Sequence, residues 1–132
     1  MPRYMLDTNT ASHLIKGHAA VCRRVTDIPM AELCISSVTE AELLFGLAKR
    51  PAAKRLHALV REFLRRVDAL PWDCAERFGP FKAAMEQQGK ILSPFDLLIA
   101  THALDAGAIL VTNDDAFSQV AGLSIEDWTV DF

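Results

Sequence analysis

The stretch Met1-Pro2-Arg3-Tyr4-Met5-Leu6-Asp7-Thr8-Asn9 decides how the 132-residue chain is read. Tyr4-Met5-Leu6 is a short apolar run, the pattern of a buried strand, and it stops at a carboxylate followed by Thr and Asn, which suit a turn or helix start. Asp7 is thereby placed at the carboxyl end of a strand. In an open α/β sheet that edge is where ligands and chemistry collect. Asp7 by itself is equally a helix cap. What separates the two readings is whether later segments bring further acids to the same edge.

Later segments do carry acids in matching places. Helical spacing covers Thr10 to Lys16 and Ala19 to Val25, and Leu33-Cys34-Ile35 is a second buried strand. Ser37 with Glu40 three residues on fits a capping box, and Val38, Ala41, Leu44 and Phe45 form an apolar stripe on the helix that follows. Glu42 lies about one turn into it. A basic helical stretch runs from Lys49 to Arg66, a short strand covers Val67 to Leu70, and Cys74 to Gln88 is helical with an interruption at Gly79-Pro80. Ser93-Pro94-Phe95-Asp96 is the clearest helix start, with Ser as N-cap and Pro in the first position. That helix reaches Asp105, Ile109-Leu110-Val111 is the next strand, and Thr112-Asn113-Asp114-Asp115 closes it. A short helix near Phe117 and a strand from Ser124 to Trp128 follow. Short apolar strands alternating with helices predict one α/β domain over residues 1–132, an α/β/α sandwich around a mainly parallel sheet whose strand order is not readable.

Composition narrows the function. At 51% hydrophobic and 23% charged residues the chain is that of a folded soluble protein. No run approaches the roughly 18 apolar residues of a membrane span, and no signal peptide is evident, so the cytosol is the expected compartment. Cys22, Cys34 and Cys74 match neither a disulfide framework nor a zinc spacing, and are read as reduced thiols. His102 is read as an ordinary helix residue, and Trp72 and Trp128 as packing residues. Charge is unevenly spread: residues 1–90 carry all 14 Lys and Arg and a net +4, whereas residues 91–132 carry seven acids and a net −7. A basic face beside an acidic one suits a nuclease that attracts phosphate while carboxylates hold a cation.

Asp7, Glu42, Asp96 and Asp114 all fall at strand ends or helix starts, which share one edge in a parallel sheet with right-handed crossovers. Clustered carboxylates repel unless protons or cations neutralise them, and an oxygen-only donor set favours Mg²⁺ or Mn²⁺. Thr8, Asn9, Thr112 and Asn113 either orient these acids or cap and turn the chain. Lys54, Arg61 and Arg65 on the basic stretch are candidate RNA contacts, the alternative being a solvated face.

Leu6-Asp7-Thr8-Asn9, Ile35-Ser36-Ser37-Val38-Thr39 through Glu42-Leu43 to Gly46, Pro94-Phe95-Asp96 with Ile99-Ala100 and His102-Ala103, and Val111-Thr112-Asn113-Asp114 with Phe117 and Gly122-Leu123 through Trp128 together resemble the PIN-domain family. More narrowly they resemble the VapC toxins of bacterial toxin-antitoxin systems. The resemblance implies a Mg²⁺- or Mn²⁺-dependent endoribonuclease, with tRNA as a plausible target, a homodimer, and a VapB-like antitoxin whose C-terminal segment covers the acidic groove. Asp7, Glu42 and Asp96 match the three central family acids, and Asp114 the more variable fourth, a role open also to Asp115. Two rivals stand beside it. A phosphotransfer protein lacks support, because no second acid follows two residues after Asp7 and no Lys follows a late strand. A catalytically silent module of the same fold, acting with a DNA-binding partner, is weakened by the retained acids.

Overall fold

Apolar side chains alternate across the strands, and the alternation builds two cores. In the computed structural model, which describes residues 3–130, the strands are β1 (Tyr4–Leu6), β2 (Leu33–Ser36), β3 (Asp68–Leu70), β4 (Ile109–Val111) and β5 (Ile125–Glu126). They form one sheet of order β3-β2-β1-β4-β5 in which every pairing is parallel. Met5, Cys34 and Leu110 point into one core, and Leu6, Leu33, Ile35 and Val111 into the other. Helices α1 (Thr8–Ile15), α2 (Ala19–Thr26), α3 (Ser37–Ala48) and α4 (Lys54–Arg66) cover the second core. The first is covered by α5 (Ala75–Gln87) and α6 (Pro94–Ala106). The expected α/β/α sandwich is therefore present.

Strand order supplies what periodicity cannot. From β1 the chain winds outward through β2 to β3, then returns to the other side of β1 for β4 and β5. The reversal lies between β1 and β4, where an open α/β sheet leaves a crevice at its carboxyl edge. Asp7 follows β1 and Thr112 follows β4. The predicted start of α6 holds: the Ser93 hydroxyl accepts from the Asp96 N–H at 3.2 Å, Pro94 occupies the first turn, and Gly107 ends the helix at φ 62°, a conformation a side chain would disfavour.

Four local expectations are corrected. The N-cap of α3 is Ser36, whose hydroxyl accepts from the Val38 N–H at 3.1 Å. Ser37 is instead inside the helix, and its hydroxyl accepts from the Trp72 N–H at 3.0 Å. The buried face of α3 is Thr39, Leu43 and Leu47, while Ala41 is exposed and Phe45 is 63% exposed. A buried Thr broke the apolar pattern, and an exposed Phe imitated it. The basic stretch is split, because α3 ends at Ala48 and Pro51 stands in the turn before α4; a proline disfavours helical conformation in the residue before it. Conversely, α5 runs unbroken through Gly79-Pro80. Pro80 is exposed, so it removes one hydrogen bond on the solvent side while Phe78, Phe81 and Met85 keep the helix packed.

The corrected face of α3 makes a direct prediction. Leu43→Ala should destabilise the fold by about 2–4 kcal/mol, and Phe45→Ala should change it by no more than about 0.5 kcal/mol. Urea unfolding of the two variants measures the contrast.

Candidate active site

Asp7 sits where β1 becomes α1, and it is only 4% exposed. It is the N-cap of α1: Oδ1 accepts from the Thr10 N–H at 2.8 Å, so the bland reading of this residue is true as far as it goes. Its backbone N–H donates to the Val111 carbonyl at 3.0 Å, and the Thr10 hydroxyl donates to the same carbonyl at 3.0 Å. These bonds pin the end of β1 to the end of β4. Burial pushes the Asp7 carboxyl above its ordinary value, hydrogen bonds from Thr112 and Thr10 pull it back, and the Asp114 charge pushes it up again.

Asp96, in the first turn of α6, shows the same balance. Burial raises its carboxyl, the Ser93 hydroxyl lowers it, and the charges of Asp114 and Asp7 both raise it. Asp7, Asp96 and Asp114 are thus close enough to repel one another across the crevice between β1 and β4. Asp115 is exposed, begins a 3-10 turn (Asp115–Gln119), and is not among the charges felt by Asp7 or Asp96. Asp114 caps that turn, with Oδ1 accepting from the Ala116 N–H at 2.9 Å.

Glu42 joins from α3 through a hydroxyl: Thr8 Oγ1 lies 2.5 Å from Glu42 Oε1 and 3.3 Å from Thr39 Oγ1. Thr112 links two acids, hydrogen-bonding Asp7 and accepting from the Asp114 N–H at 3.0 Å. Of the four candidate orienting residues, Thr8 and Thr112 contact acids. Asn9 and Asn113 are exposed, and among the described residues neither side chain hydrogen-bonds an acid. Lys54, Arg61 and Arg65 are exposed on α4, and Arg65 pairs with Glu62. The cleft that Thr8 and Glu42 line with α4 is shared instead with Lys16, Lys49 and Arg50. Of these, Lys49 and Arg50 belong to the basic stretch that the sequence displays; Lys16 follows α1 and gave no signal of its own.

Among the described residues no three His, Cys, Asp or Glu side chains stand close enough to grip a cation as placed. The donors gathered at the crevice are all oxygen, with Asp7 buried, Asp96 half-buried and Asp114 exposed, and an all-oxygen set is the chemistry of a hard divalent ion rather than of zinc. Asp7, Asp96 and Asp114 are the acids suited to share one. The thiols are unsuited: burial pushes Cys34 and Cys74 each up to about 11. His102 is buried, its Nδ1 hydrogen-bonded with the Ser36 hydroxyl at 2.7 Å, and burial holds its pKa down, the profile of a core residue. Trp128 is buried, and the Trp72 indole N–H donates to the Leu98 carbonyl at 2.9 Å, so both serve packing.

Comparison with known proteins gives the family. A PIN domain family model matches residues 4–123. A tRNA(fMet)-specific endonuclease VapC from Shigella flexneri is 39% identical over 98% of this chain and 100% of its own length. Ribonuclease VapC2 from Haemophilus influenzae is 36% identical over 97% of this chain and 99% of its own. In the crystal structure of DNA-bound VapBC from Salmonella typhimurium, one chain superposes with a TM-score of 0.88 at 36% identity, covering 97% of this chain and 99% of that one. With acids gathered at the β1–β4 crevice and relatives matched over nearly its whole length, the chain belongs to the PIN-domain family, in its VapC group.

Proposed function

We propose that the protein is a Mg²⁺- or Mn²⁺-dependent endoribonuclease toxin that hydrolyses RNA phosphodiester bonds and is restrained by a VapB-like antitoxin. The observation that carries it is the set of three mutually repelling carboxylates, Asp7, Asp96 and Asp114, at the strand-order reversal, with Glu42 tethered beside them. When bound, a hard divalent ion supplies a Lewis acid that acidifies water and neutralises charge on phosphoryl oxygens. Asp7 and Asp96 are the principal ligands, and Asp114 completes the set. Thr10 and Thr112 hold Asp7 at a fixed orientation, which keeps its lone pairs directed without reorganisation during the reaction. Glu42, aligned by the Thr8 hydroxyl, positions the attacking water in line with the scissile bond. A desolvated Asp7 also strengthens each electrostatic interaction made at the site.

The relatives named as tRNA(fMet)-specific endonucleases support tRNA as the substrate class, and the VapBC structures support the antitoxin. Phe45 and Phe95, exposed beside Ala41 and Glu42, offer an apolar surface for the homodimer that the resemblance implies. No helix among the described residues is long and apolar enough to cross a membrane.

Cleavage of total tRNA with Mg²⁺, Mn²⁺ or EDTA tests the reading. Asp96→Asn keeps shape and capping capacity and should lower kcat by at least about 100-fold, while Thr8→Val, which frees Glu42, should cost about tenfold. Equal cutting by Asp96→Asn, or an inert wild type with both metals, would overturn the mechanism.

The raised carboxyls give a second prediction, in stability. A carboxyl whose pKa rises on folding contributes stability that is complete below its unfolded value and lost as pH rises through the folded one. Metal-free Asp96→Asn should therefore be more stable than wild type at pH 7 to 8, with the difference closing as the pH falls through the carboxylate range. Mg²⁺ at about 100 times its dissociation constant should stabilise the wild type by about 2.7 kcal/mol and the variant by much less. Thermal melts across pH, with and without Mg²⁺, measure both effects.

A further inference from the structure

An acidic site repels the polyanion it cuts, so some nearby group must hold the substrate strand against that repulsion. The outward face of α4 is a poor candidate. Arg65 and Arg66 both pair with Glu62, and Lys54, Arg61 and Arg65 do not line the cleft that Glu42 shares with α4. That cleft, about 190 Å³, runs between α1, α3 and α4 with Thr8 and Glu42 at one end. Lys16, Lys49 and Arg50 line it too. Among the described residues none of the three pairs with a carboxylate; Lys49 Nζ instead lies 5.1 Å from the centre of the Phe45 ring, and Arg50 is bonded through its backbone, to Leu47, Ala53 and His57.

The placement follows from helix geometry. Lys16 is the C-cap of α1 and Lys49 the C-cap of α3, ends where the helix dipole favours positive charge. Asp7 caps the opposite end of α1, nine residues away at about 1.5 Å each, so acid and cation stand about 14 Å apart along the helix. Glu42 precedes Lys49 by seven residues on α3, a separation of about 10 Å by the same rise. Two helices thus set spacings of about 10 and 14 Å, and a stacked strand rising about 3.4 Å per nucleotide covers them in about three to four nucleotides.

We infer that Lys16, Lys49 and Arg50 form a phosphate clamp that holds the RNA strand about three to four nucleotides from the scissile bond, along the cleft between α1, α3 and α4. The inference rests on the ribonuclease reading above. The cations are positioning residues: they fix the strand's register and take no part in the chemistry at the acids.

The test uses the full chain with Lys16, Lys49 and Arg50 all changed to Gln, beside an Arg61→Gln, Arg65→Gln comparator. Anisotropy of a labelled single-stranded RNA in EDTA reads binding against salt, and cleavage of tRNA with Mg²⁺ reads KM and kcat. The triple variant should flatten the plot of log affinity against log salt by about 2, at about 0.7 per lost phosphate contact, and raise KM at least about tenfold with a much smaller effect on kcat. The comparator should shift both less. If the triple variant fails to fold, Lys49→Gln and Arg50→Gln singly should each flatten the slope by about 0.7. An unchanged slope and KM in a wild type that does cut RNA overturns the clamp alone. Unchanged RNA binding with lost affinity for the antitoxin assigns the cations to a protein partner and equally overturns it. A wild type that neither binds nor cuts RNA overturns the ribonuclease reading, and the clamp with it.

Discussion

Burial of one carboxylate at the end of the central strand is the constraint on which the site depends. Asp7 is almost removed from water, where an ionised carboxylate is costly unless hydrogen bonds or a cation compensate. Part of the compensation is internal: the first turn of α1 donates through Thr10, and Thr112 donates from beyond β4. The same bonds tie β1 to β4 at the point where strand order reverses. The remainder is left uncompensated, because Asp114 adds like charge. A fold that brings these groups together without neutralising them is prepared for a ligand that does.

Helix polarity organises the charges around this edge. Asp7 and Asp96 occupy the amino ends of α1 and α6, where partial positive charge from the backbone favours an acid. Lys16 and Lys49 occupy the carboxyl ends of α1 and α3, where the opposite holds. One set of helices can therefore hold carboxylates at the crevice and cations a few turns away without either position straining the fold. Capping and a place at the crevice need not compete: Asp7 caps α1 with one oxygen while its carboxylate still feels the Asp114 charge.

Thr8 and Thr112 show how small side chains convert placement into orientation. Each follows a strand, each is an unremarkable turn residue in sequence, and each spends its hydroxyl on an acid brought from elsewhere in the chain. Asn9 and Asn113, their immediate neighbours, face solvent. At Thr8 and Asn9 the difference is one position in the first turn of α1, a rotation of about 100° that takes the side chain from the crevice to water.

Strand identity, the start of α6 at Ser93-Pro94, and the placing of Asp7, Asp96 and Asp114 at strand ends and helix starts were determined by the sequence alone, whereas Glu42, read as lying early in its helix, stands at the middle of α3. Those features depend on local patterns: short apolar runs, an N-cap beside a proline, and an acid at a fixed offset from either. Tertiary structure decided the strand order, the inward turn of Thr39 with Phe45 left outside, the cap at Ser36 rather than Ser37, and that Lys16, Lys49 and Arg50, not Arg61 or Arg65, share a cleft with Glu42. None of these has a local signature. A buried threonine is polar in any periodicity, an exposed phenylalanine is apolar in any periodicity, and adjacent serines are equivalent caps until packing selects one. Which cation faces a cleft depends on what lies across it, and that is settled only when distant helices meet.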